Sequence, residues 1–329
     1  MSSAEIKTDI AAPNPVLQIV QRVGMVWFAV VALYIIAGLI EPNMMSVRQI
    51  SNVLQVAAFL GAVAIGQTIV LLVGGIDLSV ASMVTLVNIV STSVMNGEPA
   101  NVVPAVLICL VLAAMIGAVN GFLVAILRIT PLIVTLGMNF ILFGAALVYT
   151  NGAPRGSAAD TFTPFGQEHI FGNIPVSTLV WLALALLVAF ITRRTVYGRR
   201  LYAVGANPRA ARLMGVNVEG ITISAYVLCS LMAAAGGLLI TAYIGLPSLG
   251  IGDQFLLTSV AAAVVSGTSL TGGRGSVIAA IGGAIFITEM NSVTNILRVS
   301  NGVQFILQGV IIALSVLAYR IVDAGTGRK

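Results

Sequence analysis

The chain has 329 residues, of which 58% are hydrophobic and 8% are charged, and its mean hydropathy is +1.05. Soluble domains carry roughly 25% charged residues, so this composition excludes an ordinary soluble protein. The apolar runs are long and continuous, whereas a membrane β-barrel shows short segments of alternating hydrophobicity. We therefore predict an all-α polytopic membrane protein, whose net charge of +5 reports membrane orientation rather than nucleic-acid binding.

Long apolar runs predict the membrane spans, because about 20 apolar residues are needed to cross a bilayer core of about 30 Å. We predict about ten spans, at 24–40, 50–73, 78–95, 102–127, 131–150, 176–192, 220–246, 255–270, 276–297 and 302–319. They form a transmembrane domain over 24–320, between a cytoplasmic tail at 1–23 and another at 321–329.

The basic residues predict how these spans are oriented. With both termini in the cytoplasm, Arg48, Arg155 and Arg298 lie outside, and the rest of the 16 basic residues lie inside. Cytoplasmic loops are enriched in lysine and arginine, so an even number of spans with cytoplasmic N and C termini fits best. The connection at 151–175 is then the longest periplasmic loop, and we expect either a solvated loop or a docking surface for an external partner.

A glycine-glycine reversal separates the second predicted span from the third. Gly74 and Gly75 can end one helix, and Asp77 can cap the next, where a carboxylate favours the positive end of the helix dipole. No polar loop separates the two spans, so the backbone is expected to dip into the membrane, where it must be buried in protein or line a cavity. Both interpretations stay open: a structural turn, or a gate in a transport pathway.

Polar side chains recur along one side of the third span, at Ser82, Thr85 and Asn88. Asn139 in the fifth span and Asn291 in the ninth extend the set. Serine and threonine often bond to their own helix carbonyls, but an asparagine within the membrane needs partners. These five residues predict a neutral pathway lining, which suits an uncharged polyhydroxylated solute better than an ion.

Glu289 is the carboxylate predicted to lie deep within a span. An intramembrane acid indicates function, for instance a proton or cation site, and a buried structural glutamate is the alternative. No basic residue is predicted at its depth, so we favour the structural role.

The run at 193–219 holds six arginines before its first acid and is predicted to be a cytoplasmic loop. Within it, Asn207 can cap a short helix, Pro208 suits the first helical position, and Gly215 can adopt the left-handed conformation that ends it. A helix of about two turns is marginal alone in water. We therefore expect this helix to pack against another polypeptide.

The sequence argues against an ATPase or another enzyme within this chain. Its lysines are Lys7 and Lys329, whereas a phosphate-binding loop of the GxxxxGK[ST] type needs a lysine after glycine. The glycine-rich run at 272–276 resembles such a loop only superficially. His169 alone cannot build a zinc site or a serine triad. We expect no catalytic, metal or cofactor site, so a separate subunit would hydrolyse ATP.

Several stretches of the sequence resemble one known family. They are GGIDLSVAS from Gly74, NGFLVAILRITPLIVTLGM from Asn120, GRRLYAVGANPRAARLMGV from Gly198, GTSLTGGRGSV from Gly267 and NSVTNIL from Asn291. The resemblance spans roughly residues 45–320 and is to the permease subunits of bacterial sugar ABC importers of the ribose type, in the branched-chain amino acid/ribose permease superfamily. Two residues depart from its usual pattern: Ala81 replaces a glycine, and Gln308 replaces a lysine.

The resemblance implies a homodimer in the bacterial inner membrane, with a pathway between two copies that imports a monosaccharide or related polyol by alternating access. A cytoplasmic ABC ATPase subunit would bind ATP and magnesium, and a periplasmic sugar-binding protein would dock on the other side. The helix at 207–215 would be the coupling helix that contacts the ATPase. The residues assigned to this contact are Gly205, Asn207, Pro208, Arg209, Ala210, Ala211, Arg212, Leu213 and Gly215.

Three other functions stay open at this point. An ion-coupled secondary transporter would use Glu289 and also Asp77. A membrane-embedded enzyme would need clustered catalytic groups, which the sequence does not supply. An importer of the same class could carry a nucleoside, an amino acid or a signalling sugar instead.

Overall fold

A computed structural model describes residues 25–300 and, beyond them, residues 302–304, 306, 307, 309, 310 and 313. The predicted tails at 1–23 and 321–329 lie outside the described residues, as does most of the tenth predicted span at 302–319. The described residues of that span are helical.

The described chain is mainly helical. The helices are α1 Met25–Ile40, α2 Val47–Leu72, α3 Val80–Met95, α4 Val102–Ala125, α5 Pro131–Thr150, α6 Pro164–Gln167, α7 Val176–Arg194, α8 Val196–Ala206, α9 Pro208–Leu213, α10 Val218–Ile244, α11 Phe255–Val265 and α12 Val277–Ile296. Short 3-10 turns occupy Pro42–Met45 and Pro99–Asn101, and two short strands are β1 His169–Ile170 and β2 Ile174–Pro175.

Each predicted span from 24–40 to 276–297 coincides with one apolar helix, which confirms the all-α membrane architecture. Within the described residues, 6 helices are long and apolar enough to cross a bilayer. The predicted eighth span at 255–270 is too long, because α11 ends at Val265. Ser266 caps that helix, and Gly267 then turns the chain with φ of 92°.

Helix α2 lies at the centre of the bundle. It packs against α7, α10, α11 and α12, and most of its residues are buried. A Cβ at Gly61 would lie 2.2 Å from the Trp181 ring, and one at Gly66 would lie 2.8 Å from the Cys229 carbonyl oxygen. Small residues therefore let the neighbouring helices approach α2 closely, as is usual in membrane helix packing.

Helices from each half of the chain pack against helices from the other half. Helix α2 from the first half packs against α11 and α12, while α10 from the second half packs against α3 and α4. Each of these two long helices is followed by a non-helical segment: the first break, 73–79, and the second break, 245–254. Gly74 and Gly245 both have φ of 77°, a conformation that favours glycine.

The predicted periplasmic loop at 151–175 is an ordered segment that packs on the helix bundle. It contains α6 and an antiparallel hairpin in which His169 pairs with Pro175. The side-chain amide of Gln55 in α2 donates to the carbonyl oxygen of Gly166 at 2.7 Å. The backbone N–H of Ala158 donates to the carbonyl oxygen of Gly245 at 2.9 Å. These bonds attach the loop to α2 and to the second break.

The arginine-rich loop holds one more helix than the sequence predicts. Helix α8 directly precedes the predicted short helix, and Asn207 joins the two: it ends α8 and caps α9. The backbone N–H of Asn207 donates to the carbonyl oxygen of Ala203 at 3.1 Å. Helices α8 and α9 are therefore linked without a spacer.

Candidate functional site

Helix α9 has the ends that the sequence predicts. The side-chain oxygen of Asn207 accepts the backbone N–H of Ala210 at 3.0 Å, and Pro208 occupies the first turn. Gly215 has φ of 79°, and the N–H of Val216 donates to the carbonyl oxygen of Ala211 at 3.0 Å. Such a closing bond is typical of glycine-terminated helices, so these local rules account for where α9 starts and stops.

The outer face of α9 exposes apolar side chains. Leu213 is 90% exposed and Met214 is 74% exposed. Ala211 instead packs into its own chain and is 2% exposed, so it contributes to the fold of the loop and not to its surface. Arg212 forms an ion pair with Glu219 at the start of α10. The surface of α9 is therefore a short apolar ridge with arginines beside it.

Most of the first break is buried, and Asp77 is fully buried within it, whereas Gly74 is exposed. One carboxylate oxygen of Asp77 accepts the backbone N–H of Ser79 at 2.9 Å and also the hydroxyl of Ser79. Ser79 directly precedes α3 and is its N-cap residue. Asp77 therefore holds the cap residue in place, and the prediction that Asp77 itself caps this helix is wrong. A Cβ at Gly75 would lie 2.5 Å from the hydroxyl oxygen of Tyr226, which leaves no room for a larger residue.

Side chains from three neighbouring helices supply hydrogen bonds to the first break. Gln67 of α2, with its amide oriented to satisfy both groups, donates to the Asp77 carbonyl oxygen at 3.0 Å and accepts the Asp77 N–H at 3.3 Å. Asn120 of α4 donates to the Ser79 hydroxyl at 3.0 Å. Tyr226 of α10 donates to the carbonyl oxygen of Ile76 at 3.4 Å. Gly75 and the segment 77–79 are thus buried in protein, which is the condition for irregular backbone at membrane depth.

The polar line of α3 is buried and holds other parts of the chain. Asn88 donates to the Thr241 hydroxyl at 3.0 Å and to the Leu246 carbonyl oxygen at 3.2 Å, and its side-chain oxygen accepts the Ser248 N–H at 2.8 Å. The Thr85 hydroxyl accepts the N–H of Gly252 at 3.1 Å. Two of the predicted pathway residues therefore fasten the second break to α3.

Ser82 and Asn139 form a separate contact between α3 and α5. The side-chain oxygen of Asn139 accepts the backbone N–H of Ser82 at 3.1 Å. Ser82 is 3% exposed. In this conformation both residues serve helix packing, and contact with a solute stays a prediction for them.

A cavity of about 880 Å³ opens at the end of the bundle farthest from α9. It lies among the start of α2, the end of α10, the second break with α11, and the end of α12. Its polar lining includes Gln49, Asn52, Gln254, Thr288, Asn291 and Asn295. Asn52 and Gln254 are exposed, so the cavity reaches the protein surface.

Of the five predicted pathway residues, Asn291 lines this cavity. Thr288, Asn291 and Asn295 lie at helical spacing on one side of α12, a pattern that the sequence displays. The contribution of α2 could have been found in the same way, since Gln49 and Asn52 are three residues apart. Gln254 in the second break has no periodic signal around it.

Three aromatic side chains, Phe59, Tyr243 and the buried Phe255, form part of the cavity wall. Phe59 and Tyr243 have ring centroids 5.3 Å apart, with planes inclined by 44°. Phe59 is buried at 2% exposure, whereas Tyr243 is 40% exposed. The cavity therefore offers one accessible aromatic face beside amide and hydroxyl groups.

A family model described as the branched-chain amino acid transport system / permease component matches residues 49–316. This chain belongs to that family. The permease is thus a transport component and not an enzyme. No solved protein structure matches the chain at a significant level.

Named relatives match most of the permease. It is 37% identical to the ribose import permease protein RbsC of Escherichia coli K12 over 88% of this chain and 91% of that protein. It is 31% identical to RbsC of Bacillus subtilis 168 over 92% and 94%. It is 32% identical to the galactose/methyl galactoside import permease protein MglC of Haemophilus influenzae over 86% and 90%.

Glu289 lies in the permease beside the cavity and does not face it. Its neighbour Thr288 lines the cavity, whereas Glu289 itself is fully buried. Neither carboxylate oxygen has a hydrogen-bond partner among the residues that the structure describes. The structural and ion-binding interpretations of Glu289 both remain predictions.

Proposed function

We propose that this permease is the membrane-spanning subunit of an ATP-driven importer of a monosaccharide or related polyol in the bacterial inner membrane. The named relatives are import permeases for ribose and for galactose or methyl galactoside. The observation that carries the proposal is the cavity of about 880 Å³ with its amide, hydroxyl and aromatic lining. Ligand pockets are typically about 300–1,000 Å³, so a single sugar fits.

The chemistry of the lining supports a neutral solute. Asn291 and Asn295 supply side-chain amides that both donate and accept hydrogen bonds, as sugar hydroxyls require. Tyr243 adds an aromatic face with a polar end, against which the apolar side of a sugar ring can pack. The exposed carboxylate of Asp253 at the second break can accept hydrogen bonds from sugar hydroxyls at the rim.

The positive-inside rule gives the proposed orientation. It places the arginine-rich loop and α9 in the cytoplasm and therefore places the cavity, at the other end of α2, on the periplasmic side. A sugar-binding protein would deliver solute to the cavity. A second copy of the chain would complete the pathway as a homodimer.

The proposed motor is a separate ATPase subunit that binds ATP and magnesium. Leu213 and Met214 on α9 would fill a groove of that subunit, since both are exposed in the permease alone. Transport would occur by alternating access. In the described conformation the cavity reaches the surface at the start of α2, while Asp77 and Ser79 of the first break are buried. We take this conformation to be outward-open.

Reconstitution tests this function. Proteoliposomes containing the permease, its ATPase and its binding protein are supplied with ATP and labelled D-ribose, D-galactose or L-leucine. We expect uptake of a sugar that requires all three proteins and ATP. If leucine were the only solute taken up, the proposed sugar cargo would be wrong. If the permease without its partners took up solute under an ion gradient, the protein would be a secondary transporter and not an ATP-driven importer.

A further inference from the structure

The glycine-rich loop at 267–275 connects α11 to α12 and packs against the end of α2. Helices α2 and α12 both line the cavity, at their ends away from this loop. The backbone N–H of Gly273 donates to the carbonyl oxygen of Leu72, the last residue of α2, at 2.9 Å. Ser276, which follows the loop, caps α12 by accepting the N–H of Ala279. The loop therefore lies where α2 ends and α12 begins.

Gly205 of α8 packs directly into this junction. A Cβ at Gly205 would lie 1.7 Å from the carbonyl oxygen of Leu72 and 2.5 Å from the backbone nitrogen of Gly273. A Cβ at Gly272 would lie 2.8 Å from the carbonyl oxygen of Gly205. Three backbone segments thus touch with no side chain between them. We name Leu72, Gly205, Gly272 and Gly273 the glycine contact.

Two side chains brace the same junction. The Tyr202 hydroxyl donates to the carbonyl oxygen of Gly275 at 2.9 Å, and Arg193 donates to the Ser276 hydroxyl at 2.8 Å. Burial raises the pKa of Tyr202, and the Arg193 charge opposes part of that rise. The Tyr202 hydroxyl therefore keeps its proton and remains a hydrogen-bond donor at neutral pH.

The glycine contact lies where it can transmit movement from α9 to the helices α2 and α12. Gly205 lies two residues before Asn207, the cap of α9. At their far ends, α2 carries Asn52 and α12 carries Asn295 on the cavity wall. A helix of 20 residues, such as α12, spans about 30 Å. One backbone junction thus connects α9 with both cavity helices.

We propose that the glycine contact passes movement of α9 to α2 and α12, and that Gly205 and Tyr202 are positioning residues for this step. Close-packed interiors compress little and transmit strain. Here the backbone of α8 at Gly205 lies directly against Leu72 and Gly273, which are hydrogen-bonded to each other. A displacement of α8 and α9 therefore moves the ends of both cavity helices together. The inference rests on the proposed ATP-driven function.

The test compares the number of sugar molecules imported per ATP hydrolysed in the reconstituted complex. Gly205→Ala inserts a methyl group between α8 and Leu72, and we expect the ratio to fall at least about tenfold, as for an overpacked contact. Gly205, which the resemblance assigns to the ATPase contact, packs instead against Leu72 and Gly273 of the permease itself. Purification of the ATPase with the permease should therefore be unchanged, because α9 is intact. The matched control is Gly144→Ala in α5, where a Cβ would meet nothing within 4 Å.

Tyr202→Phe provides a milder variant that keeps the ring. It removes the hydrogen bond to Gly275, and we expect the ratio to fall about threefold, the size of one lost hydrogen bond. Tyr149→Phe in α5 is its control, since Tyr149 shares a hydrogen bond with Ser93 far from α9. If the Gly205→Ala variant does not accumulate in the membrane, the ratio of sugar imported to ATP hydrolysed by Tyr202→Phe tests the role of the glycine contact.

The outcomes separate this inference from the proposed function. If the wild-type complex imports no sugar with ATP, the proposed function fails. If the wild type imports sugar and Tyr202→Phe keeps the wild-type ratio, the role of the glycine contact is overturned. If ATP hydrolysis and sugar uptake fall equally in the variants, the number of sugar molecules imported per ATP is unchanged, and the role of the glycine contact is overturned as well.

Discussion

The side-chain oxygen of Asn88 accepts a hydrogen bond of 2.8 Å from the backbone N–H of Ser248. The same side chain donates to Thr241 in α10 and to the carbonyl of Leu246. One residue of α3 therefore holds the end of α10 and the start of the second break. Gln254, at the other end of that break, lines the cavity. Asn88 therefore holds in place a segment of the cavity wall without lining the cavity itself.

Replacing Asn88 with leucine should loosen the second break. The variant loses three hydrogen bonds, each worth on the order of 0.5–1.5 kcal/mol net, so the apparent Tm of the purified permease should fall. Limited proteolysis should cut 245–254 faster, and sugar uptake should decrease.

Ser91→Ala is the matched control for Asn88→Leu, because the Ser91 hydroxyl donates within α3, to the carbonyl oxygen of Asn88, and not to the second break as far as the structure describes the chain. It should leave all three measurements near wild type. Reduced uptake by Asn88→Leu with unchanged Tm and proteolysis would instead indicate direct contact between Asn88 and the solute.

The role of Asn88 can be predicted from the sequence only in part. Spacing of three residues places Ser82, Thr85 and Asn88 on one side of α3, and in the structure the side chains of Thr85 and Asn88 bond to the second break. Spacing cannot say what that side faces, because the partner Ser248 is 160 residues away in the chain. The sequence therefore predicts that Asn88 needs partners, while the identity of those partners depends on tertiary packing.

Leu213→Glu should detach the proposed ATPase without unfolding the permease. Leu213 is 90% exposed, and substitutions at such positions usually change stability by within about 0.5 kcal/mol. A carboxylate in the groove that receives α9 is costly to bury. We expect loss of the ATPase on co-purification and loss of ATP-driven uptake.

Phe171→Glu is the control for this variant, since Phe171 in the hairpin at 169–175 is also 90% exposed and lies away from α9. It should retain the ATPase. If Leu213→Glu also retains the ATPase and transports normally, α9 is not the contact.

Tyr243→Ala should weaken sugar uptake because it removes the accessible aromatic face of the cavity. Aromatic packing contributes about 0.5–1.5 kcal/mol, so uptake at low sugar concentration should fall about two- to tenfold. Tyr243→Phe should restore most of this loss, since it keeps the ring. Tyr149→Ala, at a different surface, is the control; equal effects of the two alanine variants would remove Tyr243 from the proposed site.

The ends of α9 can be predicted from the sequence, whereas most of the cavity lining cannot. Asn207, Pro208 and Gly215 act on backbone groups within a few residues, so the ends of α9 can be predicted from sequence. The cavity needs residues from four separate helices and from the second break. Of these, the pattern on α12 was sufficient to identify Asn291.

Gly75→Ala should destabilise the first break, because its methyl group would lie 2.5 Å from the Tyr226 hydroxyl. Overpacking of this kind costs about 1–3 kcal/mol, which thermal unfolding of the purified permease can measure. Adding Tyr226→Phe removes the clashing oxygen and should recover part of the loss. Gly137→Ala, where a Cβ has open space, should be neutral, and equal Tm values for Gly75→Ala and Gly137→Ala would contradict the close packing.

Glu289→Gln separates the importer from the ion-coupled alternative. Glutamine has nearly the same shape but cannot carry charge, and in an ATP-driven importer the energy comes from the partner subunit. We therefore expect ATP-driven uptake at the wild-type level, with and without a proton ionophore. An ion-coupled transporter would behave oppositely: wild-type uptake would collapse with the ionophore, and Glu289→Gln would abolish it because an intramembrane acid is then the coupling site. Glu98→Gln, at an exposed acid outside the helices, controls for the loss of one negative charge.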